Sequence, residues 1–122
     1  YILLGINDIS NYDPDTCIEN YRLLIDLILK KSPGCEIYIQ SVTPKIKSVQ
    51  DGVTNQEIFE YNLKLYRMCL EDGYHFIDVA YVLRDENGYL PDAYCSDPDT
   101  MGMHFKDEAC AAWIQYLRTH TK

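Results

Sequence analysis

The chain has 122 residues, enough for one domain and not two. It is 47% hydrophobic and 25% charged, the composition of an ordinary globular domain rather than of a disordered tail. Its 11 Lys and Arg against 19 Asp and Glu leave a net charge of −8, which excludes the basic footprint of a nucleic-acid or anionic-membrane binder, and no apolar run approaches the ~20 residues of a membrane span.

Residues 1–4 (Tyr1, Ile2, Leu3, Leu4) form a compact apolar run ending at Gly5, which reads as a buried strand already in progress. Natural N-termini are more often polar and loose, so such a beginning suggests the C-terminal part of a larger domain. Asp13 and Pro14 then supply an N-cap and a proline at the first helical position. Ile18, Tyr21, Ile25, Ile28 and Leu29 follow at helical spacing. That helix should stop near Lys31, where Ser32-Pro33-Gly34 breaks it. Lys30 and Lys31 sit at its negative end and Asp15 and Glu19 near its positive end, as the macrodipole favours.

Residues 36–42 are rich in β-branched and aromatic side chains and predict a second strand, ended by Thr43-Pro44. Residues 45–53 read as a loop. Thr54 and Glu57 have capping-box spacing, Ile58, Tyr61, Leu65 and Met68 form an apolar stripe, and Gly73 is the expected stop. Residues 74–79 predict a third strand, 85–88 a turn, and 89–103 a long irregular segment. Residues 106–118 predict a last helix with Ala109, Ala112, Trp113, Tyr116 and Leu117 facing inward. The order β-α-β-α-β-loop-α, with no repeat and no linker, predicts a parallel sheet covered by helices on both faces. In such sheets a ligand site lies beyond the carboxyl ends of the strands.

Two places there carry polar groups suited to chemistry. In Gly5-Ile6-Asn7-Asp8, glycine lets the backbone leave the strand at an unusual angle, and Asn7 either donates its amide into the cleft or closes a local Asx-type turn. In residues 97–104, His104 with a nearby carboxylate, Asp97 or Asp99, has the parts of a general base and its orienting acid. The plainer reading is a surface loop whose aspartates cap turns and whose histidine is solvated. Asp97, Asp99 and His104 follow no spacing that metal sites require. His75 lies within a strand and His120 near the end of the chain, so neither is a strong catalytic candidate. Cys17, Cys35, Cys69, Cys95 and Cys110 are odd in number and contain no C-x-x-C pair; they read as reduced thiols. No signal peptide can be read, and the compartment stays open, with the cytoplasm favoured.

Taken together, the segments resemble the SGNH (GDSL-type) esterase and lipase superfamily. Gly5-Ile6-Asn7-Asp8 resembles its G-x-N-D block, and residues 96–105 resemble its closing Asp/His block before a final helix. Gln40-Ser41-Val42-Thr43-Pro44 is similar to the family's fourth-strand ending, residues 61–65 to its fourth helix, and Phe76-Ile77-Asp78-Val79 to its fifth strand. The resemblance runs in family order over essentially all 122 residues.

It implies a three-layer α/β/α fold of flavodoxin-like topology, truncated to about the last three strands, and a single incomplete domain over residues 1–122. It also implies a serine hydrolase of small carboxylic esters that works through an acyl-enzyme and needs no cofactor or metal. His104 would be the general base, Asn7 an oxyanion donor, and Gly5 the residue that keeps the strand end clear. The family places its acid three residues before the histidine, where this chain has Met101. Asp97, seven before, is favoured as the acid, because Ser96-Asp97 resembles the start of the block with residues inserted after it; Asp99, five before, is the alternative.

The Gly-Asp-Ser block that would hold the nucleophile has no counterpart here, and none of Ser10, Ser32, Ser41, Ser48 and Ser96 stands in such a setting. The chain alone is therefore expected to be inactive. Its first strand would present an unpaired edge, to be covered by a missing N-terminal part or a second copy. The rival reading is a non-catalytic flavodoxin- or receiver-like binding module, or a degenerate hydrolase. The acyl group and the alcohol stay open.

Overall fold

The computed structural model describes residues 1–121. Its elements are α1 (Ile6–Ile9), α2 (Pro14–Lys31), β1 (Tyr38–Gln40), α3 (Asn55–Asp72), β2 (His75–Ile77), α4 (Ala80–Leu83), a 3-10 turn (Asp92–Tyr94) and α5 (Asp107–His120).

The long helices begin and end where their local chemistry directs. Asp13 caps α2 by accepting from the Thr16 N–H at 3.0 Å and from the Thr16 hydroxyl at 2.6 Å, and Pro14 occupies its first turn. Thr54 and Glu57 close a reciprocal capping box on α3, which stops at Gly73 in the left-handed conformation. The buried faces are Cys17, Ile18, Tyr21 and Ile25 on α2, and Ile58, Tyr61, Leu65, Met68 and Cys69 on α3.

β1 and β2 pair in parallel with Ile39 opposite Phe76. On the other side of β1, Ile2 makes a parallel bridge to Ile39, with Ile2 N–H donating to the Tyr38 carbonyl at 2.8 Å and Gln40 N–H to the Ile2 carbonyl at 2.9 Å. Three chain segments thus run side by side, joined by helical crossovers. Alternate β1 side chains face opposite layers. Ile37 and Ile39 pack with Ile25, Tyr61 and Leu65 against α2 and α3. Tyr38 joins Ile77 and Val79 against Trp113, Tyr116 and Leu117 of α5, and the Trp113 indole donates to Gln40 Oε1 at 2.8 Å. This is the α/β/α sandwich that the alternating pattern predicts.

The regular strands are shorter than expected, and the cause is local. Residues 1–4 pair only at Ile2, because Gly5 turns the backbone away into α1. The expected strand 36–42 narrows to residues 38–40: Val42 N–H donates to Asn62 Oδ1 at 2.7 Å and Asn62 Nδ2 donates to the Val42 carbonyl at 2.9 Å, so a side chain takes the groups a strand neighbour would use. The expected strand 74–79 narrows to 75–77, since Val79 N–H turns back to the Ile77 carbonyl and α4 begins.

Candidate functional site

Gly5 leaves the first paired segment at φ 139°. A Cβ there would stand 2.5 Å from Tyr61 Cε1 and 2.9 Å from Val42 Cγ2. The position excludes side chains twice over, by backbone conformation and by the close approach of α3 and the end of β1. The single turn of α1 that follows was not visible as a helix in the sequence. Its backbone contacts are local: the Asn7 carbonyl accepts from Ser10 Oγ at 2.8 Å and from Asn11 Nδ2 at 2.7 Å. The Asn7 side-chain amide makes no hydrogen bond among the described residues, so it does not close an Asx turn. Asn7 instead lines a cleft of about 270 Å³ that Thr100, Met101 and Met103 also line.

The long segment before α5 is a folded loop. Cys95 and Phe105 make an antiparallel bridge, Ser96 N–H donates to the His104 carbonyl at 2.9 Å, and Thr100 and Gly102 N–H both donate to the Asp97 carbonyl at 3.1 Å. These bonds bring residues 97 and 104 together although seven positions separate them. Asp97 Oδ2 stands 2.8 Å from His104 Nδ1. Asp97 Oδ1 accepts from the His104 N–H at 2.9 Å, the Met103 N–H at 3.1 Å and the Cys95 thiol at 3.3 Å. Burial pushes the Asp97 carboxyl up, but the bonds from the His104 ring and N–H, the Cys95 thiol and the Met103 N–H outweigh it and hold the group well below the usual carboxylate range. The Asp97 side chain is 17% exposed and that of His104 59%, so the carboxylate is shielded while the imidazole is open to solvent. Asp99 is exposed and makes no hydrogen bond to His104. His104 does not itself line the Asn7 cleft; its neighbour Met103 does.

Several residues that shape this region gave no signal in the sequence. Lys45 is buried, with Nζ donating to the carbonyls of Asp51 at 2.8 Å and Val53 at 3.2 Å. Its backbone N–H and carbonyl are both held by the Asn55 side chain, at 2.8 and 2.7 Å. Gly102, at φ 64°, lets the Asp97–His104 loop lie on residues 46–49, where a Cβ would come within 2.7 Å of Ile46 Cγ1. Glycine and asparagine read as turn residues in a sequence, and only the fold shows which ones bridge two segments.

A larger cleft, about 490 Å³, opens between the start of α3 and residues 80–89, and none of Asn7, Asp97 and His104 lines it. All five cysteines are free; Cys17, Cys69 and Cys95 are buried, and burial pushes the Cys69 thiol up to about 12. His75 stacks on Tyr38 and His120 on Tyr116. Among the described residues no cluster of His, Cys, Asp and Glu forms a metal site, and no helix is long and apolar enough to cross a membrane.

Three solved structures have the same fold. A protein from Streptococcus pneumonia, provisionally assigned as a platelet activating factor, is 23% identical with a TM-score of 0.83; the match covers 96% of this chain and 56% of that one. The esterase domain of the ORF1 protein of the zebrafish ZfL2-1 retrotransposon is 15% identical with a TM-score of 0.68, covering 96% of this chain and 64% of that one. A GDSL-like lipase from Bacteroides thetaiotaomicron is 18% identical with a TM-score of 0.69, covering 94% and 57%. The chain therefore spans little more than half the length of these proteins. No curated protein matches it significantly. The family model of the GDSL-like lipases and acylhydrolases matches residues 1–112, and the chain belongs to that family.

Proposed function

We propose that the chain supplies the acid–base half of a serine ester hydrolase that cleaves small carboxylic esters through an acyl-enzyme. The Asp97–His104 pair carries this reading. With Nδ1 engaged by the carboxylate, Nε2 is the nitrogen left to take the serine proton and pass it to the leaving alcohol, and then to take a proton from the attacking water and return it to the serine oxygen as the acid departs. Asp97 fixes that tautomer and stabilises the imidazolium, while Asn7, whose amide has no partner among the described residues, donates to the oxyanion of the tetrahedral intermediate. Gly5 sets the backbone angle from which α1 presents Asn7. Asp99 plays no part.

The nucleophilic serine comes from outside these 122 residues. No serine hydroxyl among the described residues hydrogen-bonds the His104 ring, and the match covers only 56% and 57% of two relatives of the same fold. The segment that brings the serine also covers the Ile2 edge, where Tyr1 is 67% and Leu4 46% exposed. The test is a serine-directed fluorophosphonate probe on the protein joined to that segment. One serine should be labelled, and His104→Ala should abolish both labelling and hydrolysis. Hydrolysis that survives His104→Ala overturns the mechanism, and an unlabelled protein would be a degenerate hydrolase.

A further inference from the structure

The geometry points to the lengthened Asp97–His104 loop as the specificity-determining wall of an acyl pocket that takes short, uncharged aliphatic chains, with Met101 limiting their length. The inference rests on the catalytic reading above and concerns what the same site accepts.

The loop is a built surface. Its turn is closed by the two bonds to the Asp97 carbonyl, and Ile46 N–H donates to the Gly102 carbonyl at 2.9 Å. Gly102 is buried against Ile46 and Val49. That seating leaves Met101 half exposed and aligns it with Met103 along the cleft that Asn7 borders. Ile6, Val49 and Val53 supply the rest of the apolar lining. A chain whose ester carbonyl meets the Asn7 amide would run between these side chains. The one cation lining the cleft, Lys45, is buried with its ammonium donating to the Asp51 and Val53 carbonyls, and Asp51 also lines the space, so the cleft offers no exposed cation to hold an anionic acyl group. Methionine side chains are flexible enough to close on chains of different length up to a limit.

The chain has three methionines, and Met68 is sealed in the core, so methyl-labelled methionine gives two reporters and an internal reference. Titration with hexanamide, a neutral acyl mimic that is not hydrolysed, should shift the Met101 and Met103 methyl signals saturably and leave Met68 unmoved. Acetamide and hexanoate should shift them far less. Unmoved Met101 and Met103 signals, or equal shifts with all three probes, overturn the inference whether or not the protein hydrolyses esters. In the active hydrolase, with p-nitrophenyl esters from acetate to octanoate, Met101→Trp should lower kcat/KM for hexanoate relative to acetate by about tenfold, and Met101→Ala should raise octanoate relative to hexanoate. Unchanged ratios in both variants overturn the role of Met101. Hydrolysis that survives His104→Ala overturns the catalytic reading instead, and the methyl shifts still decide the pocket.

Discussion

Asp97 and His104 are joined twice: Oδ2 meets the imidazole Nδ1 at 2.8 Å, and Oδ1 accepts the backbone N–H of the same histidine at 2.9 Å. One carboxylate therefore fixes both the ring and the backbone that carries it. The Cys95 thiol and the Met103 N–H complete its hydrogen bonding, which leaves it a fixed anion beneath an exposed base.

That arrangement gives a pH dependence with a definite sign. The folded Asp97 carboxyl is depressed, so its contribution to stability is fully present above the unfolded carboxylate value of ~3.9 and is lost as the pH falls through the folded value. Asp97→Asn should be less stable than wild type at pH 6 and should lose less of its stability between pH 5 and pH 2. Urea midpoints across that range check this; parallel declines in the two proteins would contradict it.

Gly5→Ala should destabilise strongly. The added methyl meets both a strained backbone, about 1–3 kcal/mol, and the Tyr61 ring and Val42, where overpacking costs another ~1–3 kcal/mol. Gly34, with an open surrounding and no contact for a Cβ, is the control and should lose only the strain part. Thermal melts of the two variants separate the contributions.

Asn62→Leu keeps the size of the side chain but leaves the Val42 N–H and carbonyl without their partner. Each unsatisfied group costs about 1–3 kcal/mol where water cannot reach it. The loss should be local, with faster amide exchange at Val42 than at Ile39 within β1.

Asn7→Ala separates stability from chemistry. The exposed amide bonds nothing among the described residues, so the melting temperature should be nearly unchanged, while removing an oxyanion donor should lower kcat by about 10²–10³-fold in the active hydrolase. A fall in stability with little change in rate would return Asn7 to the role of a turn residue.

The helices were legible in the sequence because each carries its own start and stop: Asp13-Pro14, the Thr54–Glu57 pair and Gly73 act within a few residues of the ends they define. The layer order followed from alternation. Strand lengths were not legible, because β1 ends where Asn62, twenty positions away, captures Val42. α1 and α4 are four residues each, too short for an apolar period to register. At the site, the ordered motifs drew attention to Asn7 and His104, but two aspartates competed for one partner. The turn that returns Gly102 to the Asp97 carbonyl puts Asp97, not Asp99, against the imidazole. The supports at Lys45, Asn55 and Cys95 depend on contacts between distant segments and left no local pattern to read.

The most direct measurement compares kcat for ester hydrolysis in Asp97→Asn and Asp99→Asn, each in the protein joined to its serine-bearing segment. The account predicts a loss of about 10⁴-fold for Asp97→Asn, which holds the imidazole in the wrong tautomer, and almost no change for Asp99→Asn. Near-normal turnover in Asp97→Asn, or an equal loss in Asp99→Asn, would contradict it.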